Sequence, residues 1–68
     1  MPKIICEAII PDNDLRASVF RELKELRIPF HCHRDYIHVN HSTNNLGTIR
    51  QIKSAFAGIQ NCSIKQIG

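Results

Sequence analysis

Between Phe30 and Asn40, apolar and polar side chains alternate on both sides of Arg34-Asp35. A period of two belongs to strands, and two such runs around a short polar break predict a β-hairpin, Phe30 to Arg34 and Tyr36 to Asn40. Arg-Asp lacks the Asn-Gly or glycine chemistry of a tight primed turn, so a two-residue turn and a four-residue loop from His33 to Tyr36 fit equally well. Both are even in length and keep the same side chains on the same face. Placing Phe30, Cys32, Ile37 and Val39 inward turns His31, His33, Tyr36 and His38 outward. The hairpin then sets His31 opposite His38 and His33 opposite Tyr36.

Prolines punctuate what comes before. Ile4-Ile5-Cys6-Glu7-Ala8-Ile9-Ile10 is short, rich in isoleucine and closed by Pro11, which suits a strand. Asp12, Asn13 and Asp14 then offer helix caps. Leu15, Val19, Leu23 and Leu26, with Phe20 beside them, follow helical spacing, so a first helix is expected from about Asp14 to Arg27, ended by Pro29. After the hairpin, His41 through Asn45 is a polar loop of cap residues. Leu46, Ile49, Ile52, Phe56 and Ile59 recur at helical spacing and predict a second helix ending near Gly58. Cys62 to Ile67 alternates once more as a last strand.

The predicted order is β-α-β-β-α-β over a single domain, residues 1–68. A shift of 31 residues lays Asn13-Asp14-Leu15 on Asn44-Asn45-Leu46, which hints at two similar halves. Two βαβ halves with right-handed crossovers interleave into a four-stranded antiparallel sheet with both helices on one face, the ferredoxin-like α+β sandwich. The expected core is Ile4, Cys6, Ala8, Leu15, Val19, Phe20, Leu23, Leu26, Phe30, Cys32, Ile37, Val39, Ile49, Ile52, Phe56 and Ile64.

Composition narrows the function classes. Sixty-eight residues at 7.8 kDa leave room for one small domain and exclude a large pocketed enzyme. Apolar residues at 43% are too many for a disordered tail, so the chain should fold. No apolar run approaches the roughly 18 residues of a membrane span. Met1-Pro2-Lys3 leads into a short apolar stretch interrupted at Glu7, without a leader cleavage pattern, so a cytoplasmic protein with no membrane partner is expected. Three cysteines, Cys6, Cys32 and Cys62, are an odd and sparse set; they read as reduced, core-facing small hydrophobes. All six carboxylates lie within residues 1–35 and are matched there by six basic groups. Arg50, Lys53 and Lys65 therefore account for the whole net charge of +3.

Catalytic patterns are missing. Nothing resembles a nucleophile elbow, a phosphate-binding glycine loop or a paired-carboxylate site, so no enzyme activity and no cofactor are expected. His31-Cys32-His33 suggests a metal, but neighbours on a strand point to opposite faces, and Cys32 cannot join both imidazoles on one ion. His31 with His38 supplies two ligands, with His33 or Glu7 as a distant third. That falls short of a structural zinc site, so no metal is expected. Arg21, Lys24, Glu25 and Arg27 on the first helix read as a solvated face.

The sheet face without helices is the candidate surface. Lys3, Ile5, Glu7 and Ile9 share it with the hairpin's outward residues, and Lys65 joins from the last strand. Bare isoleucines in a row call for a partner, so Ile5, Glu7, Ile9, His31, His33, Tyr36 and His38 are the expected protein interface. The reading is a non-catalytic regulatory or adaptor module that pairs with itself, sheet to sheet or edge to edge, or inhibits a larger protein partner. The alternative is a single-stranded nucleic-acid module. Tyr36, His38 and His31 would stack bases, with Arg50, Lys53 and Lys65 taking phosphates. Ser42, Thr43, Asn44, Asn45 and Thr48 at a helix amino end add anion-binding groups, although such residues are first of all caps.

The run from Ile10-Pro11-Asp12-Asn13-Asp14-Leu15 through Leu26-Arg27-Ile28-Pro29-Phe30, followed by a hairpin and a second helix, resembles a small-molecule-sensing ACT domain in element order and in an Asp before the first helix. Asn13-Asp14 stands where that family's ligand-binding turn has glycine, so the resemblance implies no amino-acid site here. A dimer seam that holds the histidines should weaken below about pH 6, as imidazoles charge. Sedimentation near pH 7.5 and near pH 5.5 checks it, and the same monomer at both removes the expectation.

Overall fold

The computed structural model describes every residue from Met1 to Gly68. It contains β1 (Lys3–Ile9), α1 (Asn13–Glu25), β2 (His31–His33), β3 (Tyr36–Ser42), α2 (Leu46–Phe56) and β4 (Cys62–Ile67). The strands form one sheet of four in the order β2-β3-β1-β4, with every neighbouring pair antiparallel. With both helices packed on one side, this is the ferredoxin-like α+β sandwich. No helix is long and apolar enough to cross a membrane.

Each helix starts where a side chain can satisfy its free amides. Asp12 caps α1 by accepting from the Leu15 N–H at 2.8 Å, and Asn45 caps α2 by accepting from the Thr48 N–H at 3.1 Å. Arg16 braces the turn between β1 and α1, donating to the Ile10 carbonyl at 2.6 Å and to the Asn13 side chain. Helix α1 ends two residues earlier than expected, at Glu25, because the chain closes on itself. The Ile28 N–H reaches the Leu23 carbonyl at 2.9 Å and the Arg27 N–H reaches the Lys24 carbonyl at 3.0 Å, a Schellman closure with Arg27 in the left-handed region at φ 58°. Ile28 and Leu23 are both buried, which supplies the apolar contact such closures favour. Helix α2 stops at Phe56, ahead of Gly58, whose φ is 84°.

The hairpin resolves to a two-residue turn. His33 pairs with Tyr36, leaving Arg34 and Asp35 between the strands, and Arg34 takes φ 58°. The Asp35 carbonyl accepts from the Ile10 N–H at 2.8 Å, tying this turn to the end of β1. Strand β2 is shorter than the expected Phe30 to Arg34. Phe30 instead stacks on Phe20 of α1, ring centres 5.2 Å apart.

Thirteen buried residues form one cluster: Ile4, Cys6, Ala8, Ile10, Val19, Leu23, Ile28, Ile37, Val39, Ile49, Ile52, Ala55 and Phe56. Six expected members are outside it: Phe20, Leu26 and Phe30 are partly buried and pack against it, while Leu15, Cys32 and Ile64 are exposed. Leu15 lies in the first turn of α1 and is 45% exposed. Cys32 and Ile64 do point toward the helix side, paired with Ile37 and Cys6, but they belong to the two edge strands and escape the cover of the helices. Ile64 is 39% exposed, and the Cys32 thiol donates to the Arg34 carbonyl at 3.4 Å. The internal repeat is real but has a different offset. Lys3 and Tyr36, Asp12 and Asn45, Val19 and Ile52, and Leu23 and Phe56 are equivalent positions, each pair 33 residues apart.

Two outcomes follow from this packing. Arg27→Gly and Arg34→Gly should each stabilise the fold by about 0.5–1 kcal/mol, since glycine removes the left-handed strain, read as a higher urea midpoint at unchanged slope. Burial, then the nearby Cys62, pushes the Cys6 thiol up to about 11. An unfolded cysteine ionises near its ordinary value, so stability is full below about pH 8.5 and falls as pH rises toward 11. Urea midpoints from neutral pH to about pH 10.5 check this, with Cys6→Ala flattening the decline.

Candidate interaction surface

Pleating turns every second residue of β1 and β3 away from the helices, and the strand register sorts them into rows. One row crosses the sheet as His31, His38, Glu7 and Ser63, and a second as His33, Tyr36 and Ile9. A third holds Asn40, Ile5 and Lys65, and a fourth Ser42, Lys3 and Ile67. All seven expected interface residues thus share the helix-free face, and the expected opposition of His31 to His38 and His33 to Tyr36 is present. His31, His33, Glu7, Ile9 and Tyr36 are exposed, while Ile5 and His38 are half-buried.

Asn40, Ser42, Ser63 and Ile67 also belong to this face and escape a reading of residues alone. Ile67 is 49% exposed beside Lys3, and Asn40 stands opposite Ile5. The signal for Ile67 is the alternation itself, since it lies two residues beyond Lys65. For Asn40 it is the same step beyond His38.

The structure separates the nucleic-acid residues into two groups. Lys65 lies on the open face with Tyr36 and His38. Arg50 and Lys53 lie on α2, among the core residues Ile49 and Ile52, and therefore in the layer behind the sheet. Lys53 donates to the Gln66 side chain at 2.6 Å, on the helix side of β4. The cations that share a face with the rings are Lys3 and Lys65.

Rings and carboxylate meet at one end of the face. Tyr36 and His38 lie nearly parallel, with an interplanar angle of 12° and centres 6.4 Å apart. The Tyr36 hydroxyl is pushed up in pKa, by local desolvation first and then by the negative charge of the neighbouring Glu7 carboxylate. Beside them a shallow cleft of about 450 Å³ runs along Glu7, Ile9, Tyr36, Asn61 and Ser63. A second, about 430 Å³, opens between Pro29, Phe30, His31 and His38 at the β2 edge. Neither is enclosed. No three His, Cys, Asp or Glu side chains converge on a point where an ion would sit.

The cysteines occupy three environments. Cys6 is buried, Cys62 is half-buried with its thiol raised by desolvation, and Cys32 is exposed. Comparison with known protein families, curated proteins and solved structures finds no match to this chain. The architecture defines the class, and residue geometry carries the rest.

Two measurements probe the site as described. Spectrophotometric titration of the sole tyrosine should place its ionisation above that of a free tyrosine, and Glu7→Gln should lower it part of the way. No change in Glu7→Gln would mean the carboxylate does not face the ring. Thiol labelling of the folded chain should modify Cys32 first, Cys62 more slowly, and Cys6 only on unfolding.

Proposed function

We propose that this chain is a non-catalytic adaptor module that self-associates and presents its helix-free sheet face to a protein partner. The observation that supports this most directly is that four apolar side chains stand on that face in two patches, Ile9 with Tyr36 at one end and Ile5 with Ile67 toward the other; Ile9, Tyr36 and Ile67 are 47%, 37% and 49% exposed. Apolar side chains held at strand spacing on a rigid sheet cost little entropy to bury, because the backbone beneath them is already ordered. The row of His31, His38 and Glu7 crosses the face between the two patches and adds polar contacts there.

The size of the face sets the strength of the contact. Four strands at about 4.8 Å and seven residues at about 3.3 Å make a surface of about 19 by 23 Å. That is well under the roughly 800 Å² per partner of a standard stable interface, so a single copy fits a weak, exchangeable contact. The aligned Tyr36 and His38 rings favour a second reading, in which unpaired bases stack on them. With Lys3 and Lys65 as the cations on that face, any such binding would be shallow in charge.

Capture of a partner by immobilised chain separates the readings. Ile9→Asp should lose the partner, Arg50→Glu with Lys53→Glu should keep it, and retention should hold between about 50 and 200 mM salt. If a single-stranded oligonucleotide is retained at low salt and Lys3→Glu with Lys65→Glu releases it, the nucleic-acid reading replaces the protein one.

A further inference from the structure

The two edges of the sheet are built differently. β2 is three residues long, follows Pro29 and turns away at the strained Arg34. Short strands and nearby prolines are how sheets avoid pairing with other chains. β4 is six residues long, keeps register with β1 from Lys3–Ile67 to Ala8–Cys62 without a bulge, and contains no proline. Its side chains are exposed from Ser63 onward.

The hydrogen-bond phase shows what this edge offers. The Ile9 N–H donates to the Asn61 carbonyl at 2.9 Å, and these residues continue the β1–β4 register as an opposed pair. In an antiparallel ladder bonded and unbonded pairs alternate. Glu7–Ser63, Ile5–Lys65 and Lys3–Ile67 are therefore the bonded pairs. Cys62, Ile64 and Gln66 direct their N–H and C=O groups away from β1, out of the sheet edge.

We propose that this edge pairs with β4 of a second copy, antiparallel about a two-fold axis at Ile64, joining the two sheets into one. A two-fold along the sheet normal keeps both helix layers on the same side. Opposed residues then share a face, so the axis must pass through a residue and not between two. At Ile64 it sets Ile64 against Ile64, Cys62 against Gln66 and Ser63 against Lys65. Every outward backbone group of the strand is then paired, about six bonds in all. At Lys65 it would oppose two ammonium groups and set Cys62 against Gly68, beyond the end of β4. The Ile64 axis also covers a side chain that the helices leave 39% exposed. This deepens the self-association proposed above while leaving the helix-free face open and twice as wide, so a partner can bind across both copies.

Sedimentation equilibrium on the full chain tests it, with circular dichroism to confirm folding. Wild type should be dimeric. Ser63→Lys places a lysine beside Glu7 of its own chain, which favours the fold, and opposite Lys65 of the second copy, which should weaken the dimer at least tenfold. Ile64→Pro removes an amide that β1 does not use and should give a folded monomer. Ile9→Asp should remain as dimeric as wild type while losing the face partner. A monomeric wild type overturns the proposal, as does a Ser63→Lys variant that dimerises like wild type. Loss of the dimer in Ile9→Asp with retention in Ser63→Lys overturns it too, by moving self-association to the face. An intact, edge-sensitive dimer that binds nothing through Ile9 rejects the face reading alone.

Discussion

The structure depends on the position of β1, a central strand held on both sides. Its even-numbered residues bond toward β3, as the Ile10 N–H to Asp35 carbonyl contact shows, and its odd-numbered residues bond toward β4, as Ile9 to Asn61 shows. The pleat sends the same two sets of side chains to opposite faces. Ile4, Cys6 and Ala8 are buried under the helices, while Lys3, Ile5, Glu7 and Ile9 form the open face. A slip of one residue would exchange the two sets and bury a glutamate, which the apolar interior cannot accept without a partner. Register, core and surface are thus one decision made at β1.

That decision was legible in the sequence wherever a side chain belonged to a central strand or to the buried stripe of a helix. The order of elements, the phase of the hairpin and the burial of Ile37, Val39, Ile49, Ile52 and Phe56 all follow from periodicity. Periodicity tells which way a side chain points but not whether anything lies above it. Cys32 and Ile64 point toward the helices from the sheet's two margins and meet water there. Ile28 shows the reverse: it sits beyond the end of α1 and outside any period, yet a backbone closure to Leu23 folds it inward. The 31-residue offset fails for a related reason. Leucines in the first turns of both helices matched by identity, but Leu15 and Leu46 are 45% and 59% exposed, so neither reports the packing that the two halves share.

The candidate surface shows the same division. Alternation alone places its seven expected residues on one face, but it says nothing of the side taken by basic residues that come from a helix. Arg50 and Lys53 are near β3 in sequence, and the crossover carries them behind the sheet. Charge counted along a chain becomes a surface only after topology assigns each residue a side. Lys3, which balances an acidic residue in the charge count of the first half, ends up beside Lys65 and Ile67 on the open face.

Small size makes the margins matter. In a sheet of four strands two are edges, so half of the strands have side chains the helices cover poorly and backbone groups with no strand beyond them. This chain treats its edges unequally. The β2 margin is three residues long, bounded by Pro29 and a tight turn, while the β4 margin keeps a regular, unbroken ladder phase from Asn61 to Ile67. An edge left open at random would be expected to mismatch itself, with like charges or unequal faces opposed. Here the outward amides fall on Cys62, Ile64 and Gln66, symmetric about Ile64, and the one charge in the strand falls opposite a serine. Self-complementarity of that kind is what a two-fold contact requires of a single strand, and it ties the free edge to the same pleat that set the core at β1.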